Sequence, residues 1–167
     1  MDILHYIDRG GIIVYILITM NIIGFTIMFW KSIVLLNAKR DISNIASSII
    51  SQLKLTVNYE VAQIQAEVIY KVKKLESGLN TIKIIASLSP LLGLLGTVIG
   101  ILNSFDSISI AGLGDPSVFS KGISIALITT VAGLIVAIPH YIGYNYFVGG
   151  LDNLETALEK EILNKIK

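Results

Sequence analysis

Three long stretches without a single Asp, Glu, Lys or Arg set the strongest limit on how this chain can fold. They cover Gly10–Trp30, Ile84–Phe105 and Gly122–Leu151. A helix needs about 20 apolar residues to cross about 30 Å of membrane hydrocarbon. Hydrophobic residues make up 53% of the chain and charged residues 15%, against about 25% charged in soluble domains. The sequence therefore predicts an all-α membrane protein with three transmembrane helices.

The first apolar stretch is predicted to be a retained membrane helix rather than a cleaved signal peptide. A signal peptide begins with a basic segment and ends at a small-residue cleavage site. Here Asp2 and Asp8 accompany a single basic residue, Arg9, and no such cleavage site follows. Trp30 and Lys31 then close the stretch, as is typical of a membrane interface.

The distribution of basic residues predicts the orientation of the chain. The segment 31–83 holds eight Lys or Arg and four Asp or Glu, whereas 1–9 and 106–121 each hold one basic and two acidic residues. Basic flanks remain in the cytoplasm. We therefore expect the N-terminus outside and the C-terminus inside. The predicted segments are an external N-terminus (1–9), a first membrane helix (10–30), a cytoplasmic helical hairpin (31–83), a second membrane helix (84–105), an external loop (106–121), a third membrane helix (122–147) and a cytoplasmic C-terminal helix (148–167).

The hairpin prediction depends on the apolar periodicity of the middle segment. Apolar residues recur there at intervals of three or four, the spacing of an amphipathic helix: Ile42, Ile45, Ile49, Leu53, Val57, Val61, Ile64, Val68, Val72, Leu75, Leu79 and Ile82. The chain must turn back to re-enter the membrane, and Thr56–Tyr59 is the expected turn. We predict that the hairpin extends the first two membrane helices and that the apolar stripe forms its seam. The alternative is an independent soluble bundle.

Small residues form one stripe on each of the second and third membrane helices. The first stripe comprises Ser89, Gly93, Gly96, Thr97, Gly100 and Ser104. The second comprises Gly122, Ala126, Thr129, Thr130, Gly133, Ala137, His140 and Tyr144. Small residues let membrane helices pack closely, so Gly93, Gly96, Gly100 and Gly133 are predicted packing residues. Part of each stripe could instead line a pore. Pro90 and Pro139 interrupt the same helices, and either packing or gating accounts for them.

Titratable groups are nearly absent from the predicted membrane interior, where His140 is the exception. Hydroxyl groups order water but carry no charge at neutral pH, and a proton pathway needs carboxylates or histidines. If protons cross here, another chain must supply the titrating group. His140 is a candidate cytoplasmic proton exit, and the alternative is an interfacial histidine without a transport role.

With no cysteine and a net charge of +1, nothing predicts a metal site, a cofactor, a nucleic acid partner or an enzyme.

Two motifs resemble the ExbB/TolQ branch of the MotA/TolQ/ExbB proton-channel family. They are Ser89–Gly100, read as SPLLGLLGTVIG, and Ala126–Leu134, read as ALITTVAGL, followed by Ala137-Ile138-Pro139 and Tyr144-Asn145. The resemblance is strong over about residues 75–150 and is closer to ExbB than to TolQ.

This resemblance implies a bacterial inner-membrane complex. Such a complex is a pentamer around a dimer of an ExbD/TolR-like single-span subunit, whose membrane aspartate carries the proton. It drives a TonB- or TolA-like protein. Carried over, Thr97 and Thr130 face the pore, and Thr129 could share that role. The chain departs from the family at Ile125, where many members have glutamate, and at His140, where many have a small residue. A TolQ-like subunit, a flagellar-stator-like subunit and a non-conducting scaffold are the other readings.

Overall fold

The computed structural model describes residues 3–53, 61–112 and 117–166, and these ranges are helical throughout apart from short turns. Five helices follow one another along the chain: α1 (Ile3–Arg40), α2 (Ile42–Leu53), α3 (Val61–Leu75), α4 (Leu79–Ala111) and α5 (Ser117–Ile166). The prediction of an all-α chain with three long apolar helices is confirmed. Segments long and apolar enough to cross a membrane are Ile7–Arg40, Leu79–Ile110 and Phe119–Ile166.

The helices are longer than the apolar stretches that predicted them. Residues 31–40 extend α1, residues 79–83 begin α4, and α5 continues without a break through the predicted C-terminal helix. Most of the predicted loop 106–121 is also helical, because α4 ends at Ala111 and α5 begins at Ser117. The turn predicted at Thr56–Tyr59 lies outside the described residues, although α2 and α3 contact each other.

Glycines with positive φ interrupt or end the helices. Gly11, with φ of 63° and ψ of −157°, breaks the helical backbone inside α1. Gly78, with φ of 90°, lies in the turn between α3 and α4. Residues with a Cβ rarely adopt this conformation, whereas glycine adopts it at little cost. Gly112 likewise follows the end of α4, where its amide donates to the carbonyl of Ile108 at 2.8 Å.

The chain divides into two compact units. Unit 1 comprises residues 1–26 and 81–142, and therefore contains the start of α1, nearly all of α4 and the first half of α5. Its core joins Ile13, Leu17, Ile85 and Val136, with Met20, Leu92 and Ala132 packed against them. Each of the three helices contributes to this cluster, so unit 1 is a three-helix bundle.

Unit 2 comprises residues 27–80 and 143–167. Its core is built from large aliphatic side chains, among them Ile49, Ile64, Val68, Val72, Leu154, Leu158 and Ile162. The periodic stripe that predicted the hairpin supplies the first four of these. Lys31 is buried in this unit, and its Nζ donates to the carbonyl of Leu75 at 2.8 Å, at the last residue of α3. The ammonium thus caps a helix C-terminus, where carbonyls lack helical partners.

Candidate functional site

The antiparallel α4 and α5 approach each other over glycine, so that their backbones nearly touch. A Cβ on Gly93 would lie 2.8 Å from the carbonyl oxygen of Thr129, and a Cβ on Gly133 would lie 2.5 Å from that of Ser89. Real Cβ atoms do not approach backbone that closely. Farther along α4, a Cβ on Gly100 would lie 2.6 Å from the carbonyl oxygen of Gly122. The two small-residue stripes therefore form one seam, as small residues do where membrane helices pack.

Thr97 and Thr130 face each other across this seam. Their Oγ1 atoms are 2.5 Å apart, and either hydroxyl could donate. Thr97 Oγ1 also lies 3.2 Å from the carbonyl of Gly93 on its own helix and 3.2 Å from that of Ala126 on α5. Each hydroxyl has one proton and can accept two hydrogen bonds. The pair is therefore a small network of hydroxyls and carbonyls in an otherwise apolar bundle.

The threonine next in sequence is placed differently. Thr129 is fully buried against Gly96, and its hydroxyl donates to carbonyls of its own helix, those of Ile125 at 3.1 Å and Ala126 at 3.0 Å. Thr97 and Thr130 are only partly buried. Of the three predicted site threonines, the structure thus leaves Thr97 and Thr130 partly exposed and buries Thr129. Ile125, at the position where the resemblance leads one to expect glutamate, is partly buried.

An open groove of 430 Å³ lies beside Thr97. Apart from Thr97 and Ser104, the residues that line the groove are apolar, namely Ile101, Phe105, Ile108, Phe119, Ile123, Ala126 and Leu127. The Ser104 hydroxyl is already occupied, since it donates to carbonyls of Gly100 at 3.1 Å and Phe119 at 3.0 Å. The groove therefore presents an apolar surface that suits an apolar helix.

His140 does not belong to the threonine pair. Its ring is fully buried and packs on α1, where a Cβ on Gly24 would lie 2.0 Å from Nε2. The Phe25 ring meets it edge-on with centroids 5.0 Å apart. Thr130, although on the same arc of α5, contacts α4 instead. The arc of α5 that carries both residues therefore packs against α4 at Thr130 and against α1 at His140. For this reason His140 does not contact the Thr97–Thr130 pair.

Sequence reasoning passed over two residues of α1. Gly24, against which His140 packs, and Asn21 lie within the first apolar stretch, and the buried Oδ1 of Asn21 has no hydrogen-bond partner among the described residues. An amide in the middle of a membrane helix is itself a signal, because a polar group in hydrocarbon needs a partner. The glycine three residues later was a second signal, since it leaves room for a large side chain from a neighbouring helix.

The remaining features of the site are its two prolines and the chemical groups that it offers to a ligand. Pro90 and Pro139 both lie inside helices and are partly buried. Across the ranges that the structure describes, no group of three or more His, Cys, Asp or Glu could hold a metal ion. The arrangement provides hydroxyls and carbonyls at a helix seam, and these can order water or hydrogen-bond a partner but cannot by themselves exchange protons at neutral pH.

Together these features define a multi-pass helical membrane protein with a hydroxyl-bearing seam. The sequence matches the MotA/TolQ/ExbB proton channel family over residues 36–160, and the chain belongs to this family. The two motifs on α4 and α5 lie inside the matched range, so the membership rests in part on the seam itself.

Three relatives show how far the likeness extends. A protein of Methanothermobacter thermautotrophicus named as an ExbB homolog is 32% identical over 183 residues, covering 90% of this chain and 64% of the relative. The biopolymer transport protein ExbB of Aquifex aeolicus is 45% identical over 76 residues, or 46% of this chain and 51% of the relative. The Tol-Pal system protein TolQ of Pseudomonas aeruginosa is 43% identical over 75 residues, or 45% and 32%. The chain thus spans less than two thirds of the length of each.

Proposed function

We propose that this chain is the proton-channel subunit of an inner-membrane energy-transducing complex that uses the proton motive force to energise TonB-dependent outer-membrane transport. The observation that carries the proposal is the Thr97–Thr130 pair, 2.5 Å between hydroxyl oxygens and partly exposed on a seam of glycines. It is a polar contact between the stretches of α4 and α5 that contain no Asp or Glu. Membership of a proton channel family supports the same reading.

The proposed complex supplies the missing titratable group from outside the chain. An ExbD/TolR-like single-span subunit would bring a membrane aspartate to the hydroxyl pair. Several copies of this chain, by resemblance five, would surround the partner helices. The open groove beside Thr97 supports this arrangement, because its lining is apolar and suited to helix packing. Membrane lipid would cover the outer face, where large side chains such as Leu94 and Ile135 are exposed.

The orientation and energetics follow from the same proposal. The N-terminus would lie in the periplasm and the C-terminus in the cytoplasm, in accord with the basic residues of segment 31–83. Each proton that enters releases about 2.3 kcal/mol per 100 mV of membrane potential. Since this is comparable to the coupling free energies of conformational transitions, a few protons suffice to rearrange a TonB-like partner.

The test removes the hydroxyls while keeping the seam. Thr97→Ala and Thr130→Ala are each expected to preserve assembly with the companion subunit and to lower proton flux into vesicles at least about tenfold, or about 1.4 kcal/mol. Thr97→Ser retains the hydroxyl and should keep most of the flux. The control is Thr26→Ala on α1, whose exposed hydroxyl bonds only to the carbonyl of Ile22 on its own helix. Full flux in both alanine variants would leave a non-conducting scaffold as the better account.

A TolQ-like role in the Tol-Pal system is the second candidate, because relatives of both names match this chain at similar identity, 43% and 45%. Co-purification with a TonB-like or a TolA-like protein distinguishes the two roles.

The proposed proton exit at His140 is tested separately. It predicts that His140→Ala assembles normally and conducts poorly, and unchanged flux removes His140 from the pathway.

A further inference from the structure

Two buried polar atoms in unit 1 lack hydrogen-bond partners among the described residues, namely Asn21 Oδ1 on α1 and His140 Nε2 on α5. Leaving a buried polar group unpaired costs about 1–3 kcal/mol, and the cost is higher where the surroundings are apolar. From this pair we propose that Asn21 and His140 form a buried site for one water molecule between α1 and α5.

The first step is the protonation pattern of the imidazole. His140 Nδ1 lies 2.7 Å from the carbonyl oxygen of Val136, one turn earlier on the same helix. A carbonyl only accepts, so Nδ1 must carry the hydrogen. In a neutral ring the other nitrogen then has a lone pair and no hydrogen. Nε2 is therefore an acceptor that needs a donor.

The second step is that Asn21 presents an acceptor too. Its buried atom is the carbonyl oxygen of the amide, Oδ1. Two acceptors cannot bond to each other, whereas a water molecule has two hydrogens and can donate one to each. Water is thus the smallest guest that satisfies both atoms, and two to four polar partners are what buried waters usually have.

The third step is the position of the two groups. A Cβ on Gly24 would lie 2.0 Å from Nε2, so the imidazole edge rests on the α1 backbone at this glycine. Asn21 precedes Gly24 by three residues, and side chains at that spacing are neighbours about 5–6 Å apart on a helix surface. A water that bonds to two acceptors at about 2.8 Å each, with its two hydrogens near the tetrahedral angle, spans about 4.5 Å between them. Asn21 precedes Gly24 by about 4.5 Å along the axis of α1 and lies on the same face, so one molecule beside the glycine can reach both the amide and the imidazole.

The helix directions agree with this placement. Gly10 lies near Ile128 and Gly24 lies against His140, so α1 and α5 run parallel within unit 1. A helical side chain leans toward the N-terminus of its helix, as the Nδ1 contact with Val136 shows for His140. The ring consequently leans toward the turn of α1 that precedes Gly24, which is the turn of Asn21. The edge-on Phe25 ring limits its rotation from the side.

The site is separate from the Thr97–Thr130 pair, whose contacts run between α4 and α5. It therefore does not depend on the proposed function. Its role is to fasten α1 to α5 through a hydrogen-bonded water at a level where glycine, rather than a large apolar side chain, faces the imidazole.

The test observes water at the imidazole directly. The full chain is prepared in lipid bilayers with ¹⁵N-labelled histidine, and His5→Gln leaves His140 as the single labelled residue. At alkaline pH, solid-state NMR is expected to show a protonated Nδ1, an unprotonated Nε2, and magnetisation transfer from water to Nε2. Asn21→Leu should abolish that transfer, while Thr19→Val, which alters an exposed hydroxyl bonded to its own helix, should leave it unchanged.

Two results overturn the proposal. Absence of water transfer to Nε2 in the unsubstituted protein would mean that the amide and the imidazole bond directly or stay unpaired. Unchanged transfer in Asn21→Leu would mean that water reaches the ring without Asn21. If Asn21→Leu does not insert, Asn21→Ala replaces it with the same expected loss.

Discussion

Units 1 and 2 differ in the residues that bring their helices together. In unit 1 the tightest contacts involve Gly93, Gly133 and Thr129, while Leu94 is 59% exposed and Leu127 63% exposed. In unit 2 the closed interior is aliphatic, with Leu158 and Ile162 at 1% and 0% exposure. Lipid tails give apolar helices no reason to associate, so close packing must hold unit 1 together. In the amphipathic part of unit 2, removal of aliphatic surface from water supplies the stabilisation.

The largest expected effect comes from shortening a buried leucine of unit 2. Leu158→Ala should lower the free energy of unfolding by about 3 kcal/mol, since such truncations lose transfer energy and leave a cavity. Thermal unfolding monitored by circular dichroism measures it. Leu163→Ala is the matched control on the same helix, where the side chain is 48% exposed. Equal losses in both variants would show that burial in unit 2 does not govern its stability.

A smaller loss is expected from enlarging a glycine of the seam in unit 1. Gly133→Ala places a Cβ 2.5 Å from the carbonyl oxygen of Ser89, so α4 and α5 must separate. We expect a loss of about 2 kcal/mol, within the usual cost of overpacking. Gly149→Ala is the control, because a Cβ there meets nothing within 4 Å and alanine favours the helix. A seam that accepts alanine at Gly133 without loss would contradict the close packing.

The hydroxyl pair should contribute less than either kind of packing. Thr97→Val and Thr130→Val keep the shape of the side chains and remove the bond between them. A double-mutant cycle is expected to give a coupling free energy of about 0.5–1 kcal/mol, as for other hydrogen bonds within membranes. A coupling near zero would mean that the two hydroxyls bond mainly to the neighbouring carbonyls.

The smallest effect is expected at the solvent-exposed end of unit 2. Lys165 Nζ donates to the Ser43 carbonyl at 2.9 Å and to the Ser43 and Ser47 hydroxyls at 2.7 Å each. Its ion pair with Glu161, at 3.7 Å, is exposed and screened by salt. Lys165→Met should therefore cost about 0.5 kcal/mol in unfolding experiments. Lys160→Met, on the exposed surface of the same helix, is the control. A loss above that of Gly133→Ala would show that this surface contact stabilises the protein more than the close packing of the seam does.

Much of this architecture was predictable because periodicity and charge act locally. The runs without charge predicted α1, α4 and α5, and the spacing of three and four predicted the buried face of α2 and α3. The small-residue stripes indicated where α4 and α5 could approach. By contrast, the extension of α5 through Ile166 was not predicted, because a change from apolar to amphipathic sequence does not by itself end a helix.

The candidate site was only partly predictable. Thr97 and Thr130 were singled out from the motifs, but periodicity could not show that their hydroxyls meet or that Thr129 is closed off. Neighbouring positions on a helix differ by about 100° of rotation, and only the partner helix decides which of them is covered. The same reason explains His140, whose neighbour is α1, and Asn21, which sequence reasoning omitted.

The sequence by itself determined that this chain is helical, that three of its helices are apolar enough to span a membrane, and that its membrane interior contains almost no titratable group. Those properties depend on composition and on spacing within single helices. Tertiary structure alone decided that Thr97 contacts Thr130, that glycine makes room for the imidazole of His140, and that one buried acceptor on α1 and one on α5 have no partner among the described residues. Such contacts join residues far apart in the chain, so they depend on how the helices pack against one another.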